Sequence, residues 1–236
     1  MIKKAGILLL LSTLGIQASA AARLADLKAA ISSQSWNAGL EKCEALARGE
    51  GRRPDVRQLP ASHYARLATH CAALASGAGD QWLASWWWFT ATAMDVETAL
   101  PLLDEFRRSG LLTNLQPPRT PMRTAEQAME PREPNQVRLL NGDMVEGLAP
   151  VPQKTKMPTW LLRPIGRVAR AKIVIEVVVG ADGSLRQPLV LSAQAPPLYG
   201  FQALHHLRQI PVQPAIVDGE PVDSLYTISF SMNSSR

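Results

Sequence analysis

The stretch from Gly180 to Gly183, with Asp182 inside it and Arg186 just beyond, has a composition that could hold a phosphate or a metal. A phosphate loop leads into a helix whose N-terminus meets the anion, whereas the residues that follow here, SLRQPLVL, are typical of a strand. A calcium loop needs several more acidic ligands than Asp182 alone. We therefore predict a tight hairpin turn with Gly183 in the left-handed conformation.

The four histidines form no recognisable metal or catalytic motif. His63 and His70 are seven residues apart, whereas paired zinc-binding histidines on a helix are four apart, so we expect them to flank an apolar face. His205 and His206 are adjacent and point in different directions on a helix, which predicts His205 beside an apolar stripe and His206 in solvent. The sequence has no nucleophile elbow, Walker loop or H-E-x-x-H motif. It thus indicates a protein that is not an enzyme, with no catalytic residue, metal or cofactor.

Cys43 and Cys71 are the two cysteines of the chain, and both lie on predicted apolar helix faces. In an oxidising compartment an even number of cysteines favours a disulfide, with two buried free thiols as the alternative. We expect the bridge, with a structural role.

The segment WLASWWWF, residues 82–89, is unusually rich in tryptophan. Trp82 and Trp86 share a helix face, and Trp87 and Trp88 extend around it. The favoured interpretation is a set of large core residues. In the alternative, Trp87 and Trp88 are exposed and form an aromatic groove for a peptide, a glycan or a second domain.

The first residues predict export. Lys3 and Lys4 precede an apolar run of about ten residues, too short to span a membrane, and Ala18-Ser19-Ala20 resembles a cleavage site. We expect residues 1–20 to be a cleaved signal peptide and the mature protein to have no stable membrane insertion. Cleavage leaves 23 basic residues against 20 acidic ones, about +3, with no basic stripe. Nucleic acid is therefore not an expected partner.

Residues 21–112 show helical periodicity and predict an all-helical domain of antiparallel pairs. Asp80 is a predicted helix cap, and a further helix is predicted from about Thr98 with Pro101 in its first turn. The alternation of small and large apolar residues resembles tetratricopeptide or Sel1-type repeats. Residues 113–150 predict a Pro-rich linker, in which VRLLNGDMVEGL either forms a short hairpin around Asn141-Gly142 or continues the linker.

Residues 151–236 change to a strand pattern and complete an α+β chain. KIVIEVVV and SLRQPLVLSA predict two strands, with Pro188 restricting the second to an edge or a bulge. FQALHHLRQI predicts a helix. In the last strand Tyr226, Ile228 and Phe230 alternate with polar residues, so one face is expected in a core and the other in water. The prediction is a ββαβ domain with a three-stranded antiparallel sheet.

This order resembles the TonB C-terminal domain family over about the last third of the chain. The matching features are the Asp182-Gly183 turn, Ser192, Pro214-Ala215, the turn at Gly219 with Pro221-Val222, and the closing strand. The resemblance implies a periplasmic domain that binds a peptide segment of an envelope or outer-membrane protein by strand addition. We assign the contact to the last strand, at Leu225, Tyr226, Thr227, Ile228, Ser229, Phe230 and Ser231.

The differences from energy-transducing TonB proteins bear on function. Those proteins keep a membrane anchor, whereas this chain has a leader that looks cleavable. They also have a long spacer, whereas this chain has a helical domain where the spacer would be. Finally, residues Met157–Trp160 stand where the family commonly has a Tyr-Pro step. We expect a periplasmic binding or adaptor protein. The alternatives are an anchored energy transducer for outer-membrane transport and a cell-envelope glycan-binding protein or enzyme.

Overall fold

The computed structural model describes residues 21–48, 59–130, 135–153 and 170–233. The predicted signal peptide and the Met157–Trp160 segment lie outside these residues. The chain divides into two compact units: a helical unit, Met1–Leu115 with Pro196–Leu198, and a sheet unit, Gln116–Ala195 with Tyr199–Arg236. The chain is thus a mixed α+β protein with its helical part first.

Within residues 21–48 and 59–115, the helical unit has four helices. They are α1 at residues 21–32, α2 at Trp36–Arg48, α3 at Ala61–Gly77 and α4 at Gln81–Arg108. The side chain of Asp80 caps α4 as predicted, accepting a 2.9 Å hydrogen bond from the Leu83 amide. Asp95 has non-helical angles within α4, and its carboxylate accepts from the Thr98 amide at 3.2 Å. The second half of α4 therefore restarts close to the predicted position.

Helix α3 is the central helix of this unit and contacts both α2 and α4. Nearly every residue of α3 from His63 to Ala75 is buried, and five of the buried residues are alanines, whose small side chains allow close helix packing. A predicted disulfide, Cys43–Cys71, joins α2 to α3 with an S–S distance of 2.09 Å. None of the helices in the described part is both long and apolar enough to cross a membrane.

The residues of the predicted linker contain regular structure. Helix α5 covers Ala125–Met129, and β1 at Gln136–Arg138 pairs antiparallel with β2 at Met144–Glu146. Of the two alternatives for this stretch, the structure has the hairpin around Asn141-Gly142. Thr124 and Gln127 form a reciprocal capping box at the start of α5, the arrangement that stabilises a short helix.

Besides α5 and the β1–β2 hairpin, the described residues of the sheet unit form three long strands, several short strands and most of one further helix. Strand β3 at Val151–Pro152 precedes β4 at Arg170–Val179 and β5 at Leu185–Gln194, and α6 follows at Pro197–Leu207. Three short strands, β6 at Val212–Gln213, β7 at Ala215–Val217 and β8 at Glu220–Val222, lead to β9 at Ser224–Asn233. The main sheet is antiparallel with the order β5-β4-β9, while β3 pairs with β6 and β7 with β8.

The turn between β4 and β5 is the predicted hairpin. Gly183 has a φ of +77°, and its amide donates to the Gly180 carbonyl at 2.8 Å. Hydrogen bonds from the Ser184 side chain and amide lower the pKa of Asp182, which also accepts from Arg186 at 3.0 Å. The carboxylate of Asp182 thus closes the turn.

Candidate functional site

Strand β9, the predicted binding strand, lies at one edge of the main sheet. It pairs with β4 from Arg170↔Asn233 to Val179↔Ser224, so one edge of β9 is fully used. On the other edge, an isolated bridge between Leu139 and Ser224 places the end of β1 beside the first residue of β9. Because this bridge is antiparallel, β1 continues beside Leu225–Thr227, the first of the predicted contact residues.

The first face of β9 packs in a core, as its alternation predicts. Ile228 and Phe230 lie opposite Ile175 and Ile173 of β4, and Phe230 is buried. Phe230 makes an edge contact with the His206 ring of α6, with ring centroids 6.3 Å apart. The prediction that His206 faces solvent is wrong: it is 6% exposed, because α6 is covered on nearly every side. Burial also lowers the pKa of His206.

The second face of β9, predicted to meet water, is also partly covered. Leu225 on this face is buried, and the Thr227 hydroxyl accepts a 2.8 Å hydrogen bond from Arg123. Arg123 belongs to residues 116–130, which we call the strap. The expectation of a water-facing side fails because the strap approaches β9 from a distant part of the sequence.

Glu176 of β4 anchors the strap. Its side chain is 1% exposed, and its two carboxylate oxygens accept separate bonds, one from Arg119 Nη2 at 2.7 Å and one from Arg123 Nε at 2.7 Å. A buried carboxylate needs such partners because its desolvation is otherwise very unfavourable. We call Arg119, Arg123 and Glu176 the arginine–glutamate cluster.

The strap also contacts β5. Arg119 Nη1 donates to the Gln187 carbonyl at 3.3 Å, and the Gln187 side chain donates to Gln116. Gln187 has a φ of +48° and, with Pro188, lies at the register shift between Glu176 and Val178 of β4. This bulge confirms the structural role predicted for Pro188. The strap is thus hydrogen-bonded to Gln187 of β5, Glu176 of β4 and Thr227 of β9.

A third arginine, Arg138 of β1, lies on the same face of the sheet. Leu139 is opposite Ser224, so by alternation Arg138 points to the side of Leu225 and Thr227. Its Nη1 donates to the Gly142 carbonyl at 3.0 Å, while its buried Nε has no hydrogen-bond acceptor. Burial, followed by the nearby charge of Arg123, lowers the pKa of Arg138.

The two tryptophans proposed for an aromatic groove are not at the surface. Trp87 and Trp88 are both 0% exposed, because α4 packs its tryptophan-rich turns against α3. Within this segment Trp82 is instead the exposed indole, 42% accessible and stacked on Trp86 with centroids 6.0 Å apart. The alternative of a groove made by Trp87 and Trp88 is therefore wrong, and the core interpretation is confirmed for both.

His63 and His70 line the buried side of α3. Burial, reinforced by Arg23 and Arg66, lowers the pKa of His63 to about 4. Burial also lowers the pKa of His70, although its Nδ1 hydrogen-bonds the Arg66 carbonyl at 2.8 Å. Within residues 21–48, 59–130, 135–153 and 170–233, no group of three or more His, Cys, Asp or Glu side chains is placed to hold a metal ion.

The chain matches no protein-family model, no curated protein and no solved structure.

Sequence reasoning identified β9 but missed the arginine–glutamate cluster and Arg138. The available signal was Glu176 itself, a charged residue within the apolar strand KIVIEVVV, which requires a partner when buried. The sequence could not name that partner, because Arg119 and Arg123 are 57 and 53 residues away.

Proposed function

We propose that this protein is a non-enzymatic binding or adaptor protein of the periplasm, in which β9 receives an extended peptide from an envelope or outer-membrane protein. The observation that carries the proposal is the position of β9 at the edge of the β5-β4-β9 sheet. Main-chain hydrogen bonds to such an edge supply affinity, and side chains on alternate positions supply specificity. The resemblance of about the last third of the chain to the TonB C-terminal domain family supports the same mode.

The proposed contact covers Leu225–Ser231, and we expect the peptide to bind mainly along Ile228–Ser231. This part lies beyond the bridge from β1, and Ser231 at its end is exposed. Its inner edge is held by the ladder to β4, so the strand is already extended before a partner arrives. A preformed strand reduces the entropy that binding must remove.

The test uses a peptide that contains the TonB box of an outer-membrane transporter, titrated into the folded protein and followed by amide NMR. We expect the amide resonances from Ile228 to Ser231 to shift and their hydrogen exchange to slow, because new main-chain hydrogen bonds form there. Shifts confined to the helical unit would contradict strand addition.

Two proline substitutions provide matched controls for each other. In an antiparallel ladder, successive residues direct their backbone groups alternately toward and away from the neighbouring strand. Of Ile228→Pro and Ser229→Pro, one removes a donor to β4 and lowers stability, and the other removes an outward donor. We expect the variant that lacks the outward donor to keep the wild-type melting temperature and to lose peptide binding. Unchanged binding by that stable variant would overturn the proposal.

A further inference from the structure

An open cavity of about 180 Å³ lies between α1 and α2 of the helical unit. Each helix contributes three residues at the spacing of one helix face, i, i+3 and i+4. The lining residues are Arg23, Asp26 and Leu27 from α1, and Lys42, Ala45 and Leu46 from α2. A cavity of about 150 Å³ lined by apolar side chains can hold a benzene molecule, so this space suits an apolar group of similar size.

The uncharged part of the cavity lining is aliphatic. Leu27 is fully buried, whereas Ala45 and Leu46 are half-buried and still have apolar surface to offer. Covering that surface with the apolar body of a ligand removes it from water, which favours binding. The Cys43–Cys71 bridge joins α2 to α3, so the wall that α2 provides is held in place before a ligand arrives.

The charged residues of the cavity leave one positive charge without a counterion. Lys42 Nζ lies 3.9 Å from the carboxylate of Asp26, so these two charges offset each other. Arg23 is half-buried, and no carboxylate of the described residues forms an ion pair with it. A guanidinium in this position suits a carboxylate, because its planar donors match the two carboxylate oxygens.

We propose that this cavity binds a small aliphatic carboxylate, with its carboxylate at Arg23 and its aliphatic body against Ala45 and Leu46. The charge of Arg23 favours an anion over an amine, and the volume limits the aliphatic body to about six carbon atoms. The same chemistry occurs in a free short-chain acid and in the C-terminus of a peptide that ends in an aliphatic residue. The site lies wholly in the helical unit, so it is independent of the strand addition proposed for β9.

The experiment compares 4-methylpentanoate with 4-methylpentanamide, which has the same shape without the charge, and with acetate, which has the charge without the aliphatic body. Each compound is titrated at neutral pH into the exported protein, and the methyl NMR resonances of Ala45 and Leu46 are followed. We expect 4-methylpentanoate to shift these resonances and to bind about tenfold more tightly than either of the other two compounds. Equal binding of the acid and its amide, or shifts confined to residues outside α1 and α2, would overturn the proposal.

Variants of the cavity residues separate the contribution of the charge from that of the space. Arg23→Gln should make the acid and the amide bind equally, whereas Arg107→Gln, which removes the same charge from the exposed end of α4, should keep the tenfold difference. Ala45→Leu places a larger side chain in the cavity and should weaken the binding of acid and amide alike. A tenfold difference that persists in Arg23→Gln would overturn the site.

A direct readout of the wild-type protein covers the case in which a variant misfolds. The Nε–H resonance of Arg23, assigned by its loss in Arg23→Lys, should move downfield with 4-methylpentanoate and stay in place with the amide. N-acetylleucine, which presents the C-terminus of a peptide, separates the two sources of the ligand. Tighter binding than that of 4-methylpentanoate would identify a peptide C-terminus, and weaker binding would identify a free acid.

Discussion

Glu176 is the residue on which the polar face of the sheet unit depends. Replacing it by glutamine leaves Arg119 and Arg123, whose side chains are 15% and 7% exposed, without their counterion. Breaking a buried pair in this way destabilises by about 3 kcal/mol or more, because an uncompensated charge stays behind. We expect amide hydrogen exchange in β4 and β9 to speed up accordingly in Glu176→Gln.

The matched control for that substitution is Asp104→Asn. It removes the exposed pair between Asp104 and Arg107, whose atoms are 3.9 Å apart, and exposed pairs of this kind contribute about 0.5 kcal/mol or less. Equal exchange rates in Glu176→Gln and Asp104→Asn would show that the cluster does not stabilise the sheet.

His63 makes the stability of the helical unit depend on pH. Its pKa is lowered from 6.5 to about 4 in the folded state, so the folded protein keeps the ring neutral while the unfolded chain takes up a proton. The associated stability is present above pH 6.5 and is lost as the pH falls toward 4. We expect the free energy of unfolding to decrease by about 2 kcal/mol over this interval.

The measurement is urea unfolding of the helical unit, followed by tryptophan fluorescence at several pH values, for the wild type and His63→Leu. The variant cannot take up the proton and should show a flatter curve between pH 6.5 and 4. Parallel curves for the two proteins would contradict the assignment to His63.

At the scale of the elements, the sequence predicted those helix faces, caps and turns that depend only on residues close together in the chain. The stripes of α2 and α3, the cap at Asp80 and the Gly183 turn are all local, and all are confirmed. The Asn141-Gly142 hairpin, one of two alternatives for its stretch, is local as well. The partners of Glu176 were not predictable, because nothing in the spacing of Arg119 and Arg123 points to one residue of a remote strand. The burial of His206 was missed for a related reason: helical periodicity does not tell how many sides of a helix are covered.

Packing of α2 against α3 depends on a glycine. A Cβ added at Gly77 would lie 2.5 Å from the Trp36 ring, too close for either helix to keep its place. We expect Gly77→Ala to lower the free energy of unfolding by about 1–3 kcal/mol, the range for overpacked cores. In the double variant with Trp36→Leu the smaller side chain leaves room for the methyl group, so the loss should be less than the sum of the two single losses. Additive losses would contradict a direct contact between the two positions.

At the scale of the whole molecule, the disulfide and the predicted leader make one joint prediction. Cys43–Cys71 closes a loop with a sequence separation of 28, which corresponds to about 3–4 kcal/mol of stabilisation in the chain-entropy model. Such a bridge forms and persists in an oxidising compartment, which agrees with the proposed export to the periplasm.

We expect the exported protein to start near Ala21 or Ala22 and to carry no free thiol, and the same chain made without residues 1–20 in a reducing cytosol to carry two. Intact-mass measurement after thiol alkylation separates these species, since each free cysteine adds one label. Reductant should lower the melting temperature of the exported protein and leave a Cys43→Ala/Cys71→Ala variant unchanged, because the variant has no bridge to lose. A mature mass that retains residues 1–20 would instead favour the anchored energy transducer, since a retained apolar segment provides the attachment that such a protein needs to transmit force.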